Sequence, residues 1–202
     1  MNEEIKQKEK NFKGYLLPTK PFPISLISIF AGIICILTML VTVPVPSTGG
    51  YINIGDFGVM ISAMIFGPIV GAISGGIGSA LADLFTGYTI YAPATLIIKG
   101  LEGFIVGLIS DPRKISDKEY FRDVLAPFIG GPIMVLGYFI TEAFIFNLGI
   151  PSALAEIPGN LFQFLFGAIA SIVTVLFLRK QIMKAFPDAI EKIFIVDLKS
   201  AK

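Results

Sequence analysis

Apolar and polar positions along this chain alternate on the scale of whole membrane crossings. The apolar stretches are Ile24 to Val43, Asp56 to Phe66, Ile69 to Phe85, Pro93 to Ile109, Val124 to Phe146 and Pro158 to Leu178. All but the second have the length, roughly 17–25 residues, that a helix needs to cross a hydrocarbon core. The second is separated from the third at Gly67-Pro68, because proline removes a helix donor and drives its predecessor out of the α region. One long buried helix running across Gly67-Pro68 is the competing reading. The pattern predicts an all-α integral membrane protein, a compact bundle of six transmembrane helices over 24–178, with tails at 1–23 and 179–202. The first run is too long for a signal core and no A-x-A site follows it, so it reads as a membrane helix.

With six spans both termini share a side with the turn at Gly67-Pro68 and the loop Asp111 to Asp123. Lys99 is the one basic residue of sixteen that lies away from that side, and the opposite loops, Pro44 to Gly55, Thr86 to Ala92 and Asn147 to Ile157, carry none. The positive-inside rule then places both termini of this multi-pass protein in the cytoplasm. The N-terminal twenty residues read as a flexible or interfacial tail. Ile190, Ile193 and Phe194 beyond Pro187 have helical spacing suited to lying on the membrane surface.

Composition agrees with this class: a 202-residue chain that is 54% apolar and 15% charged, with mean hydropathy +0.79, is too apolar for an ordinary soluble domain. No basic patch points to nucleic acid. A single cysteine, Cys35, excludes an intramolecular disulfide and a cysteine-built metal site, and the absence of histidine excludes Ser-His-Asp hydrolysis and HExxH chemistry. No cofactor or metal site is expected.

Small residues repeat at Gly67, Gly71, Gly75 and Ser79, with Ala72, Gly76 and Ala80 on an adjacent stripe, a spacing that lets helix backbones approach closely. The first span has its own stripe, Ser28, Ala31, Gly32 and Cys35. It fits packing within the bundle or docking onto another membrane protein.

Ionisable side chains at bilayer depth are costly and are usually kept for a site or a pathway. At 1.5 Å per residue, Lys99 lies about 9 Å and Glu102 about 13 Å from the outer start of the fourth span. Asp56, Asp83, Glu142, Asn160 and Gln163 fall in the same outer half, whereas the inner halves hold almost nothing ionisable. One-sided placement suits a ligand pocket open to the outside, with Tyr51, Tyr88, Tyr91, Phe144, Phe146 and Phe162 as candidate walls. Each polar group also has a structural reading. Lys99 and Glu102, at i and i+3, can neutralise each other, Asp56 can cap its helix, and Asp83 can snorkel to the interface or bond the fourth span. Glu142, with no basic residue in its own span, has the strongest claim to function. The loop from Pro44 to Asp56, which includes Asn53, is long for a connector and fits a lid.

Several stretches resemble the substrate-binding S components of energy-coupling-factor (ECF) vitamin transporters, in the riboflavin-transporter-like branch. They are Ile52-Asn53-Ile54-Gly55-Asp56, Phe66-Gly67-Pro68, the run GAISGGIGSALAD from Gly71 to Asp83, and Lys99-Gly100-Leu101-Glu102-Gly103 followed by Gly107. The resemblance implies a non-enzymatic six-helix subunit that captures a vitamin or precursor at the outer face beneath the first loop. It implies partners too: a transmembrane T component, met through small residues of the first helix such as Ser28, Ala31, Gly32 and Cys35, and two cytosolic ATPases. The branch is associated with small hydroxylated rings, so a vitamin B6 form or hydroxymethylpyrimidine ranks ahead of riboflavin. Tyr51, Asn53, Asp56, Asp83, Tyr91, Lys99, Glu102, Glu142, Asn160 and Gln163 are the candidate ligand contacts. The alternatives are a self-contained carrier or channel driven by an ion gradient and, less favoured, a membrane enzyme using Asp83, Glu102 and Glu142.

Overall fold

A computed structural model describes residues 11–113 and 120–194. A two-residue hairpin, β1 (Asn11–Phe12) and β2 (Tyr15–Leu16), leads into helix α1 (Pro21–Leu40). A second hairpin, β3 (Val43–Val45) and β4 (Gly50–Ile52), precedes α2 (Gly55–Phe66), α3 (Pro68–Thr86) and α4 (Ala92–Ser110). Helix α5 (Tyr120–Ile140) runs into one π-helical turn (Thr141–Ile145), and α6 (Ile150–Ala185) and the short α7 (Pro187–Ile190) follow.

Five helices have the length and hydropathy to cross a bilayer, at Pro21–Leu40, Pro68–Thr86, Ala92–Ser110, Phe121–Ile145 and Ile150–Ala185. Helix α2 differs in kind. Its 12 residues rise about 18 Å, short of the roughly 30 Å hydrocarbon core, and ten of them are buried. It is the centre of the bundle, packed by α3 and α6, so five full-length spans surround a short core helix. The break after α2 is sharp. Gly67 has φ +89°, a conformation closed to most L residues, and Pro68 occupies the first turn of α3 where its missing N–H is not needed.

The small-residue stripe of α3 brings backbones together. A Cβ on Gly76 would stand 2.6 Å from the Leu96 carbonyl, and Gly71 and Gly103 abut so closely that a Cβ on either would strike the other's helix. In α1 the four-residue stripe divides. Ala31 and Cys35 are buried, with Ala31 against Gly78 of α3, while Ser28 and Gly32 are exposed.

Helix α6 begins eight residues before the expected Pro158 and ends seven after Leu178. Pro151 sits in its first turn, where a proline costs nothing, and Pro158 is carried within the helix, as Pro127 and Pro132 are within α5. The extension buries Glu156 near one end and Arg179 near the other, so the expectation of a C-terminal tail starting at 179 is corrected.

That second end is more ordered than expected. Arg179 bonds Asp123 at 2.7 and 2.8 Å, the Met64 carbonyl at 2.7 Å and Ser110 at 2.6 Å, joining α2, α4, α5 and α6. Beside it Asp111 accepts from Tyr15 at 2.8 Å and from Arg113 at 2.7 Å. Burial opposes ionisation of Asp111, but the Arg113 and Tyr15 hydrogen bonds outweigh it and hold the carboxyl below its ordinary range. Residues 11–16 are therefore no loose tail: Tyr15 and Leu16 are buried, and the Leu16 N–H donates to the Ile193 carbonyl at 2.8 Å. Ile190, Ile193 and Phe194 pack into the bundle instead of lying on a membrane surface. Residues 1–10 of the N-terminal tail, 114–119 of the basic loop and 195–202 of the C-terminal tail lie outside the described residues.

Candidate substrate site

At the opposite end the β3–β4 hairpin folds over the helices. Its turn closes through Thr48 and Gly49 N–H bonds to the Val45 carbonyl at 3.3 and 3.0 Å. The pairing of Pro44 with Tyr51 turns Tyr51 inward, where its hydroxyl donates to Asp83 at 2.7 Å and its ring stacks on Tyr88 at 4.3 Å. Burial, and then the Asp83 carboxylate, push the Tyr51 pKa up, so the phenol remains a donor. Thr48 fastens the hairpin. Its carbonyl accepts from Tyr91 at 3.0 Å and its hydroxyl bonds the Glu156 carboxylate. Gly50 fits there because a Cβ would stand 3.0 Å from Glu156 and 3.1 Å from the Tyr91 hydroxyl.

Below the hairpin, Lys99 is shared between Asp56 and Glu102, the latter at 3.2 Å. All three residues are at most 1% exposed. The expected Lys99–Glu102 pair is thus a triad reaching α2. Asp56 does not cap its helix. The Asn53 side chain accepts the Gly55 N–H at 2.8 Å, freeing Asp56 to bond Lys99 and, at 2.9 Å, Gln163. Gln163 in turn accepts the Asn53 N–H at 2.8 Å, tying the base of the hairpin to α6.

Between hairpin and triad lies a cavity of about 20 Å³, room for about one water molecule. Of the candidate contacts, Tyr51, Asn53, Asp83, Tyr91 and Lys99 form its wall. Asp56, Glu102 and Gln163 stand behind Lys99, and Asn160 and Glu142 are buried without reaching the wall. Phe146 packs edge-on against Tyr91 at 5.0 Å, whereas Phe144 and Phe162 are 63% and 67% exposed and point away, which corrects their assignment as pocket walls.

The rest of the wall is Thr38, Ser79, Thr95, Tyr138 and Glu156, none of them among the sequence candidates. Helical spacing was the available signal: Ser79 is one turn before Asp83, and Thr95 one turn before Lys99. Glu156 gave none, because its segment reads as a loop.

The wall is short of partners. Thr38 Oγ1, Ser79 Oγ and Asp83 Oδ2 are buried with no hydrogen-bond partner among the described residues, and so are Asp56 Oδ2, Glu102 Oε1 and both Glu142 carboxylate oxygens. Unmade hydrogen bonds at buried polar atoms cost about 1–3 kcal/mol each. Three of these atoms, Thr38 Oγ1, Ser79 Oγ and Asp83 Oδ2, belong to residues of the cavity wall and have bonding capacity left for a bound molecule.

A polytopic bundle with a capped polar cavity at one end is the architecture of a membrane subunit that captures a small molecule. The chain belongs to the family described as the ECF-type riboflavin transporter, S component, whose model matches residues 20–180. It is 29% identical over 168 residues, 82% of this chain and 93% of the relative, to the thiamine precursor transporter HmpT of Lactococcus lactis subsp. cremoris (strain MG1363). It is also 42% identical over 136 residues, 67% of this chain and 87% of the relative, to an uncharacterized protein in gap 3'region of Pyrococcus woesei. The protein is therefore a multi-pass membrane protein of the cell membrane, of a vitamin-uptake family whose members bind small vitamin-like ligands and work with a T component and ATPases. This is a transporter family and not an enzyme family.

Proposed function

We propose that the cavity under the β3–β4 hairpin is the substrate site, and that its ligand is a substituted pyrimidine or pyridine ring, a thiamine precursor such as hydroxymethylpyrimidine or a vitamin B6 form. The carrying observation is the ring of unpartnered polar atoms, Thr38 Oγ1, Ser79 Oγ and Asp83 Oδ2, between the Tyr51, Tyr91 and Tyr138 side chains. Aromatic walls supply contact area and the polar atoms supply direction for ring nitrogens and exocyclic donors. The Lactococcus relative, a thiamine precursor transporter by name, supports a small ring.

Capture requires the hairpin to open, since the closed cavity holds about one water. Thr48 is the bond to break. The hairpin end faces outward and the Arg-rich end the cytoplasm, following the positive-inside distribution. There the T component and ATPases supply the energy for delivery, with the exposed Ser28–Gly32 edge of α1 as the docking side. The Ser28 hydroxyl is satisfied by the Ile24 carbonyl at 3.0 Å, so that edge can meet another helix without leaving a donor unpaired.

Detergent-purified protein, titrated calorimetrically with hydroxymethylpyrimidine, pyridoxine, pyridoxamine and riboflavin, should bind one of the small rings at 1:1 stoichiometry. Binding of riboflavin alone would refute the small-ring assignment. Heat from none of them would refute the ligand class altogether.

A further inference from the structure

The hairpin end holds far more acid than base. Asp56, Asp83, Glu102, Glu142 and Glu156 are each at most 3% exposed, and Lys99 is the one Lys or Arg between Lys20 and Arg113 or between Arg122 and Arg179. Lys99 is committed to Asp56 and Glu102, and Asp83 has the Tyr51 hydroxyl. Among the described residues, Glu142, on the π-helical turn, and Glu156, on α6, are left to face each other without a cation.

The groups turned toward this pair are the Tyr91 hydroxyl at the start of α4 and Thr48 of the hairpin. Glu142 is 0% exposed, with both carboxylate oxygens unpartnered, and Glu156 opens onto the cavity wall. Two buried carboxylates do not both stay ionised side by side unless a positive charge joins them. A primary ammonium has three donors on one point charge. The Thr48 oxygens are engaged by Tyr91, Glu156 and the Gly50 N–H, so the acceptors on offer are the Glu142 and Glu156 carboxylates, with the Tyr91 hydroxyl beside Glu142.

We infer that Glu142 and Glu156 form an ammonium subsite at the edge of the cavity, so that among small heteroaromatic rings this chain selects those carrying an aminomethyl arm over those carrying a hydroxymethyl arm. The inference rests on the proposed substrate site and narrows its ligand class. The aminomethyl group is charged at neutral pH and places its positive end between the two carboxylates, while the ring lies among Tyr51, Tyr91 and Tyr138. A hydroxymethyl arm fills the same space with one donor and no charge.

Two matched probe pairs test it: pyridoxamine against pyridoxine, and the aminomethyl against the hydroxymethyl form of 4-amino-2-methylpyrimidine. On the wild-type protein at pH 7, at least one aminomethyl probe should bind about tenfold or more tightly than its hydroxymethyl partner, the scale of a desolvated charge pair. Glu142→Gln and Glu156→Gln should each shrink that ratio toward one. Hydroxymethyl probes binding as well as or better than their partners would overturn the subsite while leaving the cavity's role intact. A ratio unchanged in both variants would overturn it equally. If neither variant folds, the wild-type ratio decides alone. Failure of all four probes would instead sink the proposed ligand class, and the subsite with it.

Discussion

The two ends of the bundle handle buried charge in opposite ways. At the Arg-rich end, Asp123 is matched by Arg179 at 2.7 Å and Asp111 by Arg113 at 2.7 Å, and of the buried side-chain nitrogens and oxygens of the described residues there only Arg179 Nε lacks a partner. At the hairpin end, Lys99 is paired with two of five buried carboxyls, Asp56 and Glu102, and seven buried oxygens from six residues have no partner among the described residues. A satisfied network is a clamp: it specifies how helices meet and has nothing left to offer a ligand. An under-satisfied one is less stable as it stands and has bonding capacity in reserve, which is the condition for a binding site.

The largest effect that should separate the ends comes from Arg179→Met. It strands the Asp123 carboxylate in the bundle, a change that costs about 3–5 kcal/mol when a buried pair is broken from one side. The melting temperature in detergent should fall steeply, while protein that remains folded keeps its ligand affinity. A variant that melts like wild type would show that the Arg-rich end is not the clamp.

Thr48→Val should have a smaller effect, and of another kind. It removes the hydroxyl held by Glu156 but keeps the backbone carbonyl that accepts from Tyr91. The loss is about 1 kcal/mol, or roughly a fivefold faster ligand release, with little change in melting. Stopped-flow displacement measures it, and an unchanged release rate would remove Thr48 as the latch.

The smallest effect belongs to acid stability at the clamp. Because Asp111 is held below its ordinary value of 3.8, its stabilising contribution is complete above that value. It is lost as pH falls through the depressed folded value. Tyr15→Phe removes one of the bonds that hold it down, so the variant should lose about 1 kcal/mol or less and show a weaker decline between pH 4 and the acid limit. Thermal unfolding across that pH range reads the difference, and identical acid profiles would mean that Tyr15 does not support the carboxylate.

Much of the scaffold was legible in the sequence because membrane physics writes it plainly. Long apolar runs and the glycine stripe of α3 each correspond to a feature of the fold, and of the two readings of Gly67-Pro68 the break is the one found. The gathering of Asp83, Lys99, Glu102 and Glu142 toward one end also followed from counting residues along helices. Partners across elements were not legible. Asp56 reads as a cap from its own helix, and only the approach of α4 and α6 shows why Asn53 takes that role. Glu156 and Arg179 were hidden by helix ends, since Pro158 and Leu178 bound the apolar pattern while the helix continues beyond both. The N-terminal hairpin was invisible for a related reason: Tyr15 is buried by its contacts with Asp111 and Phe194, nearly a hundred residues or more away in sequence.

The contrast between the two ends is tested most directly at Asp83, whose Oδ1 holds Tyr51 and whose Oδ2 is unpartnered on the cavity wall. Calorimetric affinity for the tightest-binding small ring should be measured alongside melting temperature for wild type and Asp83→Asn. The amide oxygen can still accept from Tyr51, so melting should shift by no more than a few degrees while affinity falls about tenfold or more, the scale of a lost hydrogen bond to a charged group. Unchanged affinity, or a collapse in melting temperature like that of Arg179→Met, would contradict the assignment of the hairpin end as the site and of the Arg-rich end as the clamp.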